Sequence, residues 1–385
     1  LVSAKAAVAL ITTEGVHLAR GDEGLAWARH AEVALRRGDP ENPLWGRYHS
    51  ALGSLHLQRY ELAEAREHIE QALAIERTAL GDDHERVALL LTYLGIVLEQ
   101  SGQSEGAVTS FEQAIAIHKR ALGAQHPDLA ALHNNYAVLL FGRQDWAAAQ
   151  AQLEQAVAIQ REALGDHPDT ALSLDNLGGT LVLQGKVEEG RALMEESLAI
   201  RERMLGSEHP VVAQSLINLA STVGIDDPGG ARRMFDRALS ILEKSGNPGN
   251  EQMSNVLTNL GTLDLEEGAT QSGHDRCQQA ATMMEKEGGP TALGLPEPLV
   301  CLGWAQLELE DSTAALASLE RALSIRGEGQ GDYGAFLRLL LARALVKTGG
   351  DAGRAAELRA EARRRYRKLA EEPPERVAAW LRDPG

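Results

Sequence analysis

Apolar side chains fall three and four positions apart along nearly the whole chain, the spacing that lines one face of an α-helix. Over residues 79–120 they sit first at Val87, Leu90, Leu91, Leu94, Val97 and Leu98. After the polar stretch Ser101-Gly102-Gln103-Ser104 they resume at Ala107, Val108, Phe111, Ala114, Ile115 and Ile117. This pattern predicts two helices joined by a short turn. Nowhere do apolar and polar residues alternate in the manner of a strand, so the chain reads as all-α.

The same pattern repeats. Ala79-Leu80-Gly81, Ala121-Leu122-Gly123, Ala163-Leu164-Gly165 and Met204-Leu205-Gly206 recur at spacings of 42, 42 and 41 residues. A His follows each, at 84, 126, 167 and 209, and the last three are His-Pro. Pro suits the first turn of a helix, where its missing N–H is no loss, and the Gly before it suits the stop of the preceding helix. Small residues at Gly95, Ala137, Gly178, Ala220, Gly261 and Gly303 mark where paired helices should touch closely. The frame divides the chain into units at 37–78, 79–120, 121–162, 163–203, 204–244, 245–286, 287–328 and 329–370. A divergent hairpin precedes them at 1–36, and a capping helix with a short tail follows at 371–385. A fixed period of this length is the signature of a stacked repeat architecture, an α-solenoid of antiparallel helix hairpins.

These motifs resemble the tetratricopeptide repeat in its longer form, as in the kinesin light chain family. The resemblance covers nearly the whole chain and is sharpest from 79 to 244. Trp27-Ala28-Arg29-His30-Ala31 and the ending Trp380-Leu381 also look like the repeat region that follows the kinase domain in large bacterial, myxobacterial-type Ser/Thr protein kinases. No V-A-I-K, H-R-D or D-F-G kinase signature stands in the sequence itself. The resemblance implies a superhelix whose first helices line a concave wall that binds protein or peptide ligands. One position on those helices carries Asn135, Asn176, Asn218 and Asn259, with Tyr93 and Cys301 in flanking units. Asn is a poor residue for a helix interior, so four in register ask for a reason. Each amide offers a donor and an acceptor. The row serves either the backbone of an extended ligand, as the resemblance implies, or bridges between adjacent helices. Neighbouring wall candidates are Asn134, Phe141, Asp175, Thr258 and Trp304, with Phe141 and Trp304 as apolar anchors or as ordinary packing.

Charge narrows the partners. Lys and Arg total 38 against 55 Asp and Glu, a formal net charge of −17. Such a balance disfavours nucleic acid and anionic membrane as partners, and no apolar run is long enough to span a bilayer. The wall lacks the Lys/Arg pairs that would clamp a C-terminal carboxylate, so an extended peptide or amphipathic helix fits better. Against the acidic background, Arg354, Arg359, Arg363, Arg364, Arg365, Arg367 and Lys368 make the last long helix basic. That helix reads as a solvated face or as a docking patch for self-association. Cys277 and Cys301 stand 24 residues apart with no zinc spacing around them. They read as separate small apolar fillers, which fits a reducing cytoplasm. The chain opens Leu1-Val2-Ser3 without Met, so it reads as a piece of a longer parent.

Three features carry chemistry in other contexts. Gly102-Gln103-Ser104-Glu105-Gly106 matches a nucleophile elbow, which needs a strand before its Ser, and here the Ser lies in a helix–helix turn. Gly329-Gln330-Gly331-Asp332-Tyr333-Gly334 matches a dinucleotide fingerprint without the strand that should precede it. The four repeated histidines lie in separate loops, too far apart to share one metal ion. The sequence therefore predicts no catalytic residue, metal or cofactor, but a cytoplasmic binding scaffold, the regulatory or recruiting arm of a larger signalling protein. The alternatives are a self-associating or spacer module and, less so, an enzyme built on the 327–334 loop.

Overall fold

The computed structural model describes residues 2–39, 42–224, 227–246, 250–326, 332–368 and 375–382. Every regular element among them is helical. They belong to two compact units, Leu1–Met204 and Leu205–Gly385. Unit 1 opens with α1 (Val2–Leu10), which continues through a π-helical segment at Ile11–His17 and returns as α2 (Gly21–Arg36). Hairpins follow: α3 (Leu44–Gln58) with α4 (Leu62–Leu80), and α5 (Glu85–Gln100) with α6 (Ser104–Leu122). Next come α7 (Pro127–Gly142) with α8 (Trp146–Ala163), and α9 (Pro168–Leu183) with α10 (Val187–Leu205). Unit 2 contains α11 (Pro210–Val223) with α12 (Pro228–Lys244), and α13 (Asn250–Glu266) with α14 (Thr270–Gly288). It continues with α15 (Pro296–Glu308) and α16 (Ser312–Arg326), then α17 (Asp332–Lys347) and α18 (Ala352–Lys368), and ends with α19 (Glu375–Arg382).

The repeated His residues explain where first helices begin. His84, His126, His167 and His209 are N-caps with extended backbone. The Nδ1 of each accepts the backbone N–H two residues on, at 3.2–3.3 Å. An acceptor Nδ1 leaves the proton on Nε2, and one orphan donor of each helix is satisfied. Just before them, Gly81 and Gly123 hold φ of +86° and +91° with ψ near 160°, a region open to glycine alone. A closer constraint sits between α9 and α10. A Cβ on Gly178 would lie 2.7 Å from the Gly190 carbonyl oxygen, and one on Gly190 would lie 2.5 Å from that of Gly178. These helices therefore touch backbone to backbone.

Between the helices of unit 1 runs a thin apolar layer that includes Leu90, Phe111, Leu129, Leu139, Leu153 and Leu174. At its N-terminal side a ladder of rings crosses from α3 to α4. Trp45, His49, His68 and His56 stack in sequence, with centroids 5.9, 5.1 and 5.4 Å apart. His49 Nδ1 and His68 Nδ1 share a proton at 3.0 Å, and His56 Nδ1 binds Glu61 Oε2 at 2.6 Å. Burial, then the neighbouring His68, pushes the His49 imidazole from its usual 6.5 down to about 4, against a weaker pull from Glu32 on α2. Burial also lowers His68, with His56 adding to it. A base with a depressed folded pKa contributes stability that is present above its unfolded pKa and is lost as pH falls through the folded one. Stability should therefore drop between pH 6.5 and 4. Discounted for the partial exposure of the ring, the His49 share is about 1–2 kcal/mol. The expected result is a urea midpoint whose fall from pH 7 to pH 5 is clearly smaller in His49→Gln; equal falls would remove His49 as the cause.

In unit 2 the core holds Leu299, Leu302, Leu307, Leu319, Leu340 and Leu341. The expectation of two separate thiols is not met. Cys277 of α14 and Cys301 of α15 form a disulfide, with Cα atoms 5.7 Å apart. Both are buried, as fillers should be, but the compartment argument built on unpaired thiols loses its premise. The basic helix α18 spends several of its charges internally. Arg354 pairs with Glu320 of α16, Arg365 with Glu361, and Arg363 donates to the Leu381 carbonyl at the end of α19. Of the glycine-rich loop, residues 327–331 lie outside the described residues, and Asp332 already begins α17.

Candidate functional site

The row of asparagines divides into different local situations. In unit 1, Asn135 is exposed on α7 and has no partner among the described residues. Asn134 beside it is buried, and its amide donates to Ala130 O at 3.2 Å and to Ser173 Oγ. Ser173 passes its proton to Gln160 Oε1 on α8. Asn176, half-buried on α9, donates to Asn134 Oδ1 at 3.4 Å. A polar chain thus ties α7, α8 and α9 together. Asp175 is turned inward and pairs with Arg201 of α10, both side chains 5% exposed. Burial raises the Asp175 carboxyl pKa, and Arg201 pulls it back in part. Tyr93 is half-buried against the core of the unit. Phe141 is 42% exposed and meets Trp146 edge to face at 4.8 Å.

In unit 2, Asn218 of α11 accepts from Gln214 Nε2 at 2.9 Å, and Gln252 of α13 donates to Gln214 Oε1 at 2.8 Å. Gln214 is thus the bridge between first helices, and Asn218 bonds within its own helix. Asn259 differs. Its amide donates to the carbonyl and the Oδ1 of Asn255, one turn earlier on α13, at 2.9 and 2.6 Å. Both residues line a cavity of about 650 Å³. One wall is polar, from Ser254, Asn255, Thr258, Asn259 and Thr262 of α13. The apolar lining comes from Val300 and Trp304 of α15, Phe336 of α17 and Met284 of α14. Leu293, 91% exposed, stands at its edge together with Glu251 and Glu297.

Trp304 is both wall and packing. It is 5% exposed, meets Phe336 at 5.4 Å and Trp380 at 6.0 Å edge to face, and donates its Nε1 proton to Glu308 at 3.3 Å. Arg343 lies 4.0 Å over the Trp380 ring, a cation–π contact that holds α19 against α17. The structure therefore gathers Thr258, Asn259 and Trp304 around one cavity. The sequence reading missed Glu251, Leu293, Glu297 and Phe336. Glu251 was within reach, because positions 251, 255 and 259 share one helix face.

Among the described residues no group of three or more His, Cys, Asp or Glu could hold a metal ion, and no helix is long and apolar enough to cross a membrane. The tetratricopeptide repeat profile matches residues 46–120, 87–162, 128–187 and 169–244, together just over half of the chain. The chain belongs to the tetratricopeptide repeat family. It is a protein–protein interaction scaffold. No curated protein matches it. Among solved structures, the nearly identical TPR-like repeats of a putative kinesin light chain from Podosopora anserina are 28% identical over 54% of this chain and 99% of that one, with a TM-score of 0.49. RapI in its apo form is 13% identical over 96% of this chain and 99% of its own, with a TM-score of 0.66. A Rap protein in complex with competence and sporulation factor is 15% identical over 94% and 98%, with a TM-score of 0.58. At these identities the two Rap structures share the fold alone.

Proposed function

We propose that the protein captures an extended peptide or amphipathic helix of a partner, and that the cavity between α13, α15 and α17 is the principal seat. The observation that carries this reading is the pairing of a polar row on α13 with the apolar wall of Val300, Trp304 and Phe336. Polar groups that fix a backbone opposite a pocket for apolar anchors are what peptide capture requires. In unit 1, Asn135 and Phe141 supply a lesser version of the same pair on an exposed helix face. Asn134 and Asn176 act as bridges that hold neighbouring first helices in register, Asn218 supports the bridging Gln214 from within α11, and Asp175 is half of an internal ion pair. A Rap protein solved with competence and sporulation factor gives this reading a precedent on a similar fold. The scaffold would serve as the recruiting arm of a signalling assembly. Self-association through α18 is the weaker reading, since Arg354, Arg363 and Arg365 already have partners within the unit.

The test is a displayed random-peptide library panned against the full chain and against an Asn255→Ala/Asn259→Ala variant. Enriched peptides should bind the variant roughly tenfold or more weakly, with a melting temperature within a few degrees of the parent. Equal binding by both proteins would remove the cavity as the seat.

A further inference from the structure

The cavity's chemistry specifies more than a peptide. Resting on the reading that it is the seat of one, we propose that the occupant is cationic: a segment with Lys or Arg next to an aliphatic or aromatic side chain. On the polar wall most hydroxyl and amide donors are already committed. Thr258 donates its hydroxyl proton to Ser254 O at 2.8 Å, Thr262 to Thr258 O at 3.0 Å, and Ser254 to Ala280 O at 3.3 Å. Asn259 spends its amide on Asn255. The donors of Ser254, Thr258, Thr262 and Asn259 are turned inward, so apart from the Asn255 amide this wall offers a ligand acceptor oxygens. A ligand suited to it brings N–H groups. Ammonium and guanidinium bring the most and form the stronger, charge-assisted bonds.

The charge of the lining points the same way. Glu251 and Glu297 belong to the lining, which contains no Lys, Arg or His. They stand in the first turns of α13 and α15. Each helix N-terminus carries about half a positive charge, which alone would favour an anion. A full negative charge on each carboxylate reverses the sign at both ends. Glu297 is partly neutralised by Arg326 of α16. Glu251 is exposed and has no partner among the described residues, so it sets the residual charge at the edge of the cavity. An acidic peptide or a terminal carboxylate would meet acceptors and a carboxylate. The apolar neighbour of the cation has Val300, Trp304 and Phe336 to bury against.

The experiment uses the full chain and three matched sets of fluorescein-labelled peptides that differ at one position beside a fixed Leu: Lys or Arg, Gln, and Glu. The Lys/Arg set should bind at least tenfold more tightly than the Glu set, and the difference should shrink at high salt. Glu251→Lys, an exposed change that leaves the core untouched, should erase or invert the preference. Capture of all sets alike, with loss in Asn255→Ala/Asn259→Ala, would overturn the cationic assignment and leave peptide capture standing. Preference for the Glu set would overturn it as well. No capture of any set would overturn both.

Discussion

Arg201→Ala should cost unit 1 about 3–5 kcal/mol, the loss expected when one partner of a buried ion pair is removed. Arg201 and Asp175 are each 5% exposed at the side chain and join α10 to α9. Truncation would leave the carboxylate in a site whose burial already raises its pKa. Without the guanidinium that pKa climbs further, so lowering the pH favours the neutral buried acid more strongly. The deficit should accordingly be largest near neutral pH and narrower in acid. Replacing both partners, Arg201→Met with Asp175→Leu, should recover most of the loss, because two well-packed apolar side chains need no compensation for desolvation. Thermal and urea unfolding of the parent, the single variant and the double variant form the test. A loss below about 1 kcal/mol in Arg201→Ala would mean that water reaches the pair and that it behaves as a surface bridge. The same result would return Asp175 to the ligand-facing wall.

The helices and their limits were readable because they depend on local rules. The spacing of Val87, Leu90, Leu91 and Leu94, the Gly that ends a helix and the His-Pro that begins the next all act within a few residues. The destinations of the polar side chains were not. Asn176 finds Asn134 42 residues away, Asn134 finds Ser173 39 away, and Asp175 finds Arg201 26 away. Residues in register along the sequence are equivalent in backbone position, yet their neighbours differ from repeat to repeat. Asn135 is therefore exposed, Asn176 is bridged, Asn218 bonds within its own helix and Asn259 faces a cavity, although all four asparagines occupy one position of the pattern. Part of this was recoverable from the repeat length itself. Arg120–Asp83, Arg161–Glu196 and Arg203–Asp166 are ion pairs separated by 37, 35 and 37 residues, slightly less than one repeat. Ser197–Ala171, Arg201–Asp175 and Ser254–Ala280 are all 26 apart, the offset between facing positions of one hairpin. Scanning polar residues at those two offsets would have flagged Asp175 as internal. The Cys277–Cys301 pair lay beyond that scan, since the non-uniform stretch from Gly288 to Leu295 hides the register between α14 and α15.

Asp264→Ala should be the most damaging single change in unit 2, and it links the stability of α13 to the cavity that α13 lines. The carboxylate is 5% exposed at the side chain. It lies 2.8 Å from Arg232 Nη1 of α12 and 3.2 Å from Arg276 Nη1 of α14, and accepts the Ser272 hydroxyl proton at 2.6 Å. One acidic group thus holds three helices. Its removal leaves Arg276 without this counter-charge and Arg232 with Glu267 alone, at a cost of about 2–3 kcal/mol because both guanidinium groups are partly exposed. Arg232→Ala or Arg276→Ala should each cost less, since the other arginine continues to serve the carboxylate. The losses should also be strongly non-additive in a double-mutant cycle. Ser254, Asn255, Thr258, Asn259 and Thr262 lie on the same helix as Asp264, so loosening α13 misplaces the polar wall of the cavity. Asp264→Ala should therefore lower the melting temperature and weaken peptide capture together, whereas Asn255→Ala/Asn259→Ala lowers capture alone. Capture undiminished in an Asp264→Ala protein of clearly lower melting temperature would mean that the cavity is formed without the α12–α13–α14 clamp.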